Sequence, residues 1–369
     1  METLVLALAT SFVITHLALG PTIRIALSKG LCDEPGERRS HTVRTPSLGG
    51  VPIFVGLVFS LVLWTPFSQF GNLQFILCAF IVLFMIGLKD DIEGMNPNRK
   101  FLAQLFAVGV VVWCSDIRLA GLYGFLGQEA AFPYWASLIF SAFTIVVIVN
   151  GFNLIDGING LAGGVVSLVA LTLGVWFFAI GHLEFATLAF ATLGATTAFL
   201  RFNVTPARIF MGDTGSLILG MVIAILTVAF IALNAELPLD HPWHLEGIAT
   251  VAIGVILLPL FDTFRVFVTR IYRGHSPFYP DRRHIHHLLL DYGCNHMQAT
   301  GILLLVSAGF ILLVFLLHDR MDQHLLLFLL LGIATGLTGV LHRAVNRRRK
   351  ASSAKEVSPT APVLEHKRT

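Results

Sequence analysis

The sequence predicts an all-α integral membrane protein that crosses the bilayer many times. Of its 369 residues, 55% are hydrophobic and only 13% are charged, and Phe alone supplies 30 positions. A soluble domain of this length does not need so many apolar side chains for one core. Apolar runs of about 17 to 25 residues recur along the chain, and each is long enough to cross a bilayer. The sequence therefore predicts about eleven transmembrane helices.

The predicted spans follow one another with short loops between most of them. In chain order they are 3–27, 48–66, 72–89, 101–119, 134–150, 161–181, 183–200, 216–234, 247–269, 300–318 and 322–341. Only IGHLE (180–184) separates the sixth span from the seventh, so ten spans are the alternative. We predict a single multi-span catalytic domain over 1–345. The basic tail over 346–369 becomes rich in Ser, Pro and Ala, and we expect it to be disordered.

The distribution of basic residues predicts the orientation. Lys and Arg accumulate on the cytoplasmic side because they resist translocation. With eleven spans, all but two of the 25 Lys and Arg residues fall on one side, and the exceptions are Arg118 and Arg320. This segregation predicts an N-terminus outside and a C-terminus in the cytoplasm. Almost every unusual polar cluster lies on the same, cytoplasmic side.

Four aspartates lie where predicted spans meet the cytoplasm. Asp90 and Asp91 close the third span in GLKDDIEGMNPNRK (87–100), Asp156 lies between the fifth and sixth spans, and Asp213 precedes the eighth. Adjacent carboxylates raise each other's pKa unless a cation intervenes, and carboxylate oxygens suit Mg²⁺. Taken alone, Asp90 and Asp91 are equally consistent with a solvated helix end whose acids are balanced by nearby basic residues.

Two further segments offer groups for a nucleotide. VNGFNLIDGINGLAGG (149–164) combines glycines, which let the backbone approach a ligand, with three asparagines. These are Asn150, Asn153 and Asn159. The second segment, RFNVTPARIFMGDTGSLILG (201–220), leads into the eighth span. The start of this span is either an ordinary N-cap or an anion site whose free amides point toward a phosphate. Asn203 and Phe210 offer an amide and a stacking face for a base.

Two cytoplasmic loops carry basic side chains that could hold phosphate. DEPGERRSHTVRTPSLGGVPIF (33–54) is either an ordinary basic loop or a phosphate-binding one. In YRGHSPFYPDRRHIHHLLLDYGCNHMQ (272–298), we rank a cationic clamp for phosphates above a zinc site, because neighbouring arginines would repel a cation. A solvated histidine-rich loop is the remaining interpretation. The candidates in the second loop are Arg282, Arg283, His284, His286 and His287.

Together these groups are the parts that phosphoryl chemistry needs, because its catalysis consists mostly of positioning and charge stabilisation. No Walker A pattern or GxGxxG is present, which argues against an ATP-driven pump. We also find no acid in the middle of a predicted span, which argues against a proton-coupled transporter.

Four ordered motifs resemble those of the polyprenyl-phosphate N-acetylhexosamine-1-phosphate transferases. GLKDDIEGMNP is similar to the family's Asp-Asp motif, NGFNLIDGINGLAGG to NxxNxxDGxDGL, FNVTPARIFMGDTGS to FxGDxGS, and RRHIHHLLL to the histidine motif. The HIHH form is more similar to the N-acetylglucosamine-1-phosphate branch than to the muramoyl-pentapeptide branch, which usually has three consecutive histidines. One departure is Asn159, which stands where the family usually has the second Asp of DGxDG.

The resemblance implies transfer of N-acetylglucosamine 1-phosphate from UDP-GlcNAc to undecaprenyl phosphate, with release of UMP. It implies Mg²⁺ as cofactor, with Mn²⁺ as the alternative, and a site facing the cytoplasm in the bacterial inner membrane. The reaction would be the first membrane step of a cell-surface polysaccharide: O-antigen, common antigen or teichoic acid. We expect bilayer lipids and no nucleic acid as partners, and leave a homodimer open.

Two alternatives stay open. One keeps the chemistry and changes the donor to another UDP-N-acetylhexosamine or deoxyhexose. The other is a transporter or lipid scaffold whose acids bind Mg²⁺ only structurally.

The resemblance also implies a role for each candidate residue. Asp213 would ligate Mg²⁺ on the UDP diphosphate, with Asp90 and Asp91 as further candidate ligands. Asp90 would deprotonate or orient the lipid phosphate, and the catalytic carboxylates are Asp90, Asp91 and Asp156. The nucleotide sugar would be received by Asn150, Asn153, Asn159, Asn203 and Phe210. The diphosphate would be neutralised by His284, His286 and His287 with Arg282 or Arg283. The lipid-phosphate side would comprise Asp33, Arg38, Arg44 and Lys100.

Overall fold

The computed structural model describes residues 1–33, 44–66, 70–274 and 284–356. Almost all regular structure in these residues is helical, which confirms the predicted all-α fold. The helices are α1 Glu2–Lys29, α2 Gly50–Trp64, α3 Phe70–Glu93, α4 Pro97–Gly109, α5 Tyr134–Leu154, α6 Leu161–Ala179, α7 Leu183–Asn203, α8 Gly212–Glu236, α9 Ile248–Val255, α10 Leu257–Tyr272, α11 Ile285–Tyr292, α12 His296–Leu317 and α13 Gln323–Glu356. The two described strands, β1 (Cys32–Asp33) and β2 (Thr45–Pro46), pair antiparallel.

Seven helices in the described part of the chain are long and apolar enough to cross a membrane: α1, α5, α6, α7, α8, α12 and α13. Counting α9 and α10 as one bent span brings the number to eight. The predicted second, third and fourth spans correspond to α2, to α3, and to α4 with the π-helical turn Val110–Cys114. Of these, α2 is an apolar helix of only 15 residues. A multi-pass membrane protein is thereby supported, whereas eleven spans and the orientation stay predictions.

The predicted ninth span, 247–269, is not one straight helix. It breaks at Ile256, and α9 and α10 meet there at 83°. Asp262 lies in α10 and is only 2% exposed, so the prediction that no acid lies in the middle of a span is wrong. A carboxylate can occupy such a position because the protein supplies hydrogen-bond donors to it. These donors come from α10 itself and from the start of α11.

Helix α13 continues to Glu356, past the predicted domain boundary at 345. Beyond that boundary, Nη2 of Arg349 lies 2.6 Å from Oδ2 of Asp291. The guanidinium of Arg348 lies over the ring of Tyr292, 5.7 Å from its centroid. The start of the predicted tail is therefore helical and attached to α11, and residues 357–369 lie outside the described part.

Helix α8 forms the centre of the bundle. It is buried along almost its whole length and contacts α2, α3, α5 and α6. The backbones approach closely at its first turn, because a Cβ on Gly50 of α2 would collide with the backbone nitrogen of Gly215. A Cβ on Gly87 of α3 would likewise collide with Cα of Thr214. This packing brings the end of α3 directly against the start of α8, where two of the sequence motifs meet.

Candidate active site

A side chain from α3 caps the first turn of α8. Asp91 accepts hydrogen bonds from the backbone N–H groups of Asp213 and Thr214, at 2.7 and 3.0 Å, and from the Thr214 hydroxyl at 2.6 Å. The first amides of a helix lack intrahelical acceptors and attract negative charge. The predicted phosphate site at these amides is therefore wrong, because the protein's own carboxylate occupies them. The alternative of a local N-cap is also wrong, since the cap comes from another helix.

Gly212 makes this capping arrangement possible. Its φ is 72°, in the left-handed region that favours glycine. A Cβ there would collide with the carbonyl oxygen of Ser47 and lie 2.6 Å from Oδ2 of Asp91. The close approach of the Asp91 carboxylate therefore explains why position 212 of the MGDTGS segment is a glycine.

Lys100 links Asp90 to Asp213. Its Nζ lies 2.9 Å from Oδ2 of Asp90 and 2.7 Å from Oδ2 of Asp213. The chain reverses tightly between α3 and α4, where Asn96 caps α4 by accepting a hydrogen bond from the Asn98 backbone at 2.9 Å. This reversal returns Lys100, in the first turns of α4, to the end of α3. The structure therefore puts Lys100 inside the acidic cluster.

The asparagines of α5 have two different environments. Nδ2 of Asn153 donates to Oδ1 of Asp213 and to Oγ of Ser216, both at 2.7 Å. One turn earlier, Nδ2 of Asn150 donates to Oε1 of Gln104 at 3.1 Å. Asn153 therefore belongs to the acidic cluster, whereas Asn150 attaches α5 to α4.

Asp156 lies in the turn between α5 and α6. Its burial, followed by the nearby charges of Asp213 and Asp91, raises the pKa of its carboxyl group to about 7. A carboxyl group with such a pKa exchanges a proton near neutral pH, which is common at functional sites.

Of the remaining nucleotide candidates, Asn159 and Asn203 brace the turn that holds Asp156. Asn159 donates from Nδ2 to the Thr205 hydroxyl at 2.9 Å, and Asn203 accepts from the Gly160 backbone at 2.6 Å. Nδ2 of Asn203 donates to a backbone carbonyl at 2.9 Å, so both polar atoms of this amide have protein partners. Phe210 is half-buried, and its backbone nitrogen donates to a β2 carbonyl at 2.7 Å. Asn203, which is 4% exposed, therefore shapes the site through protein contacts, and its contact with uracil stays a prediction.

The three histidines stand at the start of α11 and reach the Asp156 turn. The rings of His284 and His286 are parallel with centroids 5.7 Å apart, and those of His286 and His287 are 4.2 Å apart. A Cβ on Gly157 would collide with Nε2 of His286. His286 is 2% exposed, and neither ring nitrogen has a hydrogen-bond partner among the described residues. Burial, with a smaller contribution from His287, lowers the pKa of His286 to about 3, so this ring is neutral.

Of the first basic loop, the described residues include Asp33 and the segment from Arg44 onward. Asp33 pairs with Thr45 through the backbone of the β1–β2 ladder, and Arg44 is exposed just before β2. Arg38, Arg282 and Arg283 lie outside the described residues, so their predicted roles stay predictions. The sequence interpretation missed Asp262, although a lone acid in an apolar helix is a signal for a functional residue.

The donor set at the acidic cluster fits Mg²⁺. Asp90 and Asp213 come from different helices, yet their carboxylate oxygens already share one cationic group, the Lys100 ammonium. Within the described residues, no three His, Cys, Asp or Glu side chains are arranged to hold a metal ion by themselves. Mg²⁺ is usually held by one or two carboxylates together with substrate phosphates and water, so two aspartates suffice.

Fold and site define a polytopic all-α membrane protein with clustered carboxylates, a bridging lysine and a histidine triad at one end of its bundle. Residues 73–231 match the model of glycosyl transferase family 4. The chain belongs to this family, and the resemblance inferred from the four motifs is confirmed.

The curated relatives extend the match over most of the chain. It is 31% identical, over 81% of its length, to the probable undecaprenyl-phosphate N-acetylglucosaminyl 1-phosphate transferase of Bacillus subtilis, covering 80% of that protein. It is 31% identical, over 82% of its length, to the undecaprenyl-phosphate alpha-N-acetylglucosaminyl 1-phosphate transferase of Escherichia coli K12, covering 80% of it. For the decaprenyl-phosphate N-acetylglucosaminephosphotransferase of Mycobacterium tuberculosis, the identity is 30% over 80% of this chain and 78% of the relative.

Proposed function

We propose that this protein transfers N-acetylglucosamine 1-phosphate from UDP-GlcNAc to undecaprenyl phosphate and releases UMP. The observation that carries the proposal is the convergence of all four motifs at one end of the bundle. Lys100 joins Asp90 to Asp213, Asn153 donates to the same Asp213, and His286 packs against Gly157. Relatives of the same family that are named for this reaction support the same donor and acceptor.

The reaction exchanges one phosphoanhydride for another. An oxygen of the lipid phosphate forms a bond to the sugar-bearing phosphorus of the donor, and the anhydride bond to UMP breaks. Two highly charged phosphate groups must meet, so most of the catalysis is charge neutralisation and alignment. Asp90 orients the lipid phosphate, and Asp156, whose carboxyl has a pKa of about 7, can hold a proton beside it. His287 would provide a donor toward the diphosphate, and His284 would border the same site.

Asp213, with Asp90 as a second carboxylate, would hold Mg²⁺, which when bound supplies positive charge to the diphosphate. Lys100 keeps these two carboxylates together in the structure, and Asn153 fixes the orientation of the Asp213 side chain. Mn²⁺ is the alternative ion, because it also takes oxygen ligands.

An apolar cavity beside the histidines would hold a short stretch of the acceptor's isoprenoid chain. Its volume is about 150 Å³ and it lies between the α9–α10 bend, α11, α12 and α13. The lining side chains are almost entirely apolar, and they include Leu258, Phe261, Ile285, Leu289 and Leu341. Ile285 lies between His284 and His286 in the chain, so the lipid phosphate would emerge next to the histidines. One relative is named for decaprenyl phosphate, so the assay should compare acceptors of different isoprenoid chain length.

The donor test measures UMP release and the mass of the lipid product in membranes that contain the protein. We expect turnover with UDP-GlcNAc and a product whose mass equals undecaprenyl diphosphate plus one N-acetylhexosamine. A panel with UDP-GalNAc and an N-acetylated UDP-deoxyhexose separates the alternative donors. Turnover of one of these without turnover of UDP-GlcNAc would replace the proposed sugar, and no turnover of any donor would favour the scaffold alternative.

Removal of divalent cations should abolish UMP release. EDTA in excess of total Mg²⁺ is expected to lower the rate by at least about 100-fold, since the charge on the diphosphate is no longer neutralised. Adding Mg²⁺ above the chelator should restore it, and Mn²⁺ should restore part of it. Full activity in EDTA would contradict a role for Asp90 and Asp213 as metal ligands.

For the cellular setting, we propose the cytoplasmic membrane of a bacterium, with the site facing the cytoplasm and the N-terminus outside. The segregation of Lys and Arg supports this orientation. The product would then begin assembly of a cell-surface polysaccharide.

A further inference from the structure

Asp262 lies outside the four sequence motifs, but its carboxylate holds the start of the histidine motif. Oδ2 lies 3.0 Å from Nδ1 of His284. Oδ1 accepts a hydrogen bond from the backbone N–H of Ile285 at 3.0 Å and another from Nη2 of Arg265 at 2.9 Å. The side chains of both Asp262 and His284 are nearly inaccessible to solvent. One buried carboxylate therefore fixes both the first residue of α11 and the ring of the preceding histidine.

The contact between Oδ2 of Asp262 and Nδ1 of His284 determines which ring nitrogen of His284 carries the proton. An ionised carboxylate only accepts hydrogen bonds, so Nδ1 of His284 must carry the proton. Nε2 is then the nitrogen that can meet a ligand. A carboxylate behind an imidazole also fixes the plane of the ring, and with it the direction of Nε2.

The orientation of His284 is transmitted to the candidate site through the other histidines. The ring of His284 is parallel to that of His286, with an angle of 5° between their planes. His286 in turn packs against Gly157, next to Asp156. A rotated His284 would therefore disturb the layer of rings that borders the Asp156 turn.

We propose that Asp262 is a positioning residue for the transferase reaction. It holds His284 in the one tautomer and orientation in which Nε2 is an acceptor that faces the substrate site. The inference rests on the proposed function and adds a residue to it that lies on α10, outside the motifs. Asp262 acts only through His284 and does not touch the substrate.

Asp262→Asn tests this role with little change in shape. The two donors on Oδ1, Ile285 N–H and Arg265, should keep the amide oxygen in place, so the amide nitrogen faces Nδ1 of His284. A donor there forces the proton of His284 onto Nε2, so Nε2 can no longer accept. We expect kcat for UMP release to fall by roughly 10² to 10⁴-fold, as when an orienting carboxylate is replaced by an amide elsewhere. The KM for UDP-GlcNAc should change by less than about threefold, since the lost interaction develops in the transition state.

A double mutant separates positioning from general damage. If Asp262 acts through His284, Asp262→Asn should lower kcat by less than about threefold in a His284→Gln background. The matched control is Asp291→Asn, which removes another acid–arginine pair at the opposite end of α11. We expect this exposed pair to matter little, with kcat within about twofold of the wild type.

The outcomes are distinct. A wild-type kcat in Asp262→Asn, or losses that multiply in the double mutant, would overturn the inference while leaving the proposed function intact. A wild-type protein that turns over no donor would overturn both. If Asp262→Asn yields no folded protein, His284→Asn takes its place, because it keeps a donor toward Asp262 and removes only Nε2. A kcat within about threefold of the wild type would then overturn the inference, because Asp262 would have no functional ring to position.

Discussion

Asp213→Asn should lower UMP release by about 10² to 10³-fold, while the protein inserts into the membrane normally. The amide oxygen can still accept the hydrogen bond from Asn153, so the local structure should persist. The amide nitrogen, however, would face Nζ of Lys100 in place of the carboxylate oxygen that now lies 2.7 Å away. The proposed metal ligand and the partner of a half-buried cation would be lost together. Initial rates at saturating UDP-GlcNAc, normalised to the amount of folded protein in detergent, would measure the effect.

Asp90→Asn should give a loss of similar size, because Lys100 binds Asp90 and Asp213 as one unit. The matched control is Asp116→Asn, which removes an aspartate paired with Arg118 at 2.6 Å, away from the cluster. We expect this control to retain wild-type turnover. Wild-type rates in Asp213→Asn would show that these carboxylates are structural and would favour the scaffold alternative.

Asp91→Ala should destabilise the protein, because it removes the cap on α8. The amides of Asp213 and Thr214 would lose their acceptor at the start of the most buried spanning helix among the described residues. Loss of a helix cap costs about 1 to 2 kcal/mol. The melting temperature in detergent should therefore fall, and UMP release should fall with it, since the backbone of Asp213 is no longer held.

Asp91→Asn distinguishes capping from direct catalysis. An amide oxygen can still accept from the two backbone N–H groups, so this variant should be more stable than Asp91→Ala and more active than Asp213→Asn. If Asp91 were instead a group that touches substrate, both substitutions at Asp91 would reduce activity equally and leave the melting temperature unchanged. That result would contradict the capping role.

Hydropathy and motif order are sufficient to predict much of this protein. Long apolar runs make an all-α membrane fold predictable, because the bilayer sets the length of a spanning helix. The predicted meeting of Asp90, Asp156 and Asp213 at one end of the bundle agrees with the structure, since helix ends on one side of a membrane are brought together. Contacts across the bundle decide what the sequence alone does not show. Asp91 looks like a second member of an acidic pair in the sequence and is the cap of α8.

The sequence by itself determined the membrane fold, the family and the segments that carry the site. These follow from local properties: the length of apolar runs, the position of polar residues at their ends, and the spacing within motifs. Only the tertiary structure decided that Lys100 bridges two carboxylates, that α9 and α10 bend at Ile256, and that Asp262 holds His284. The physical reason is that a buried charge is stable only beside its partner. Most of these partners lie on other helices, at positions set by how the helices pack.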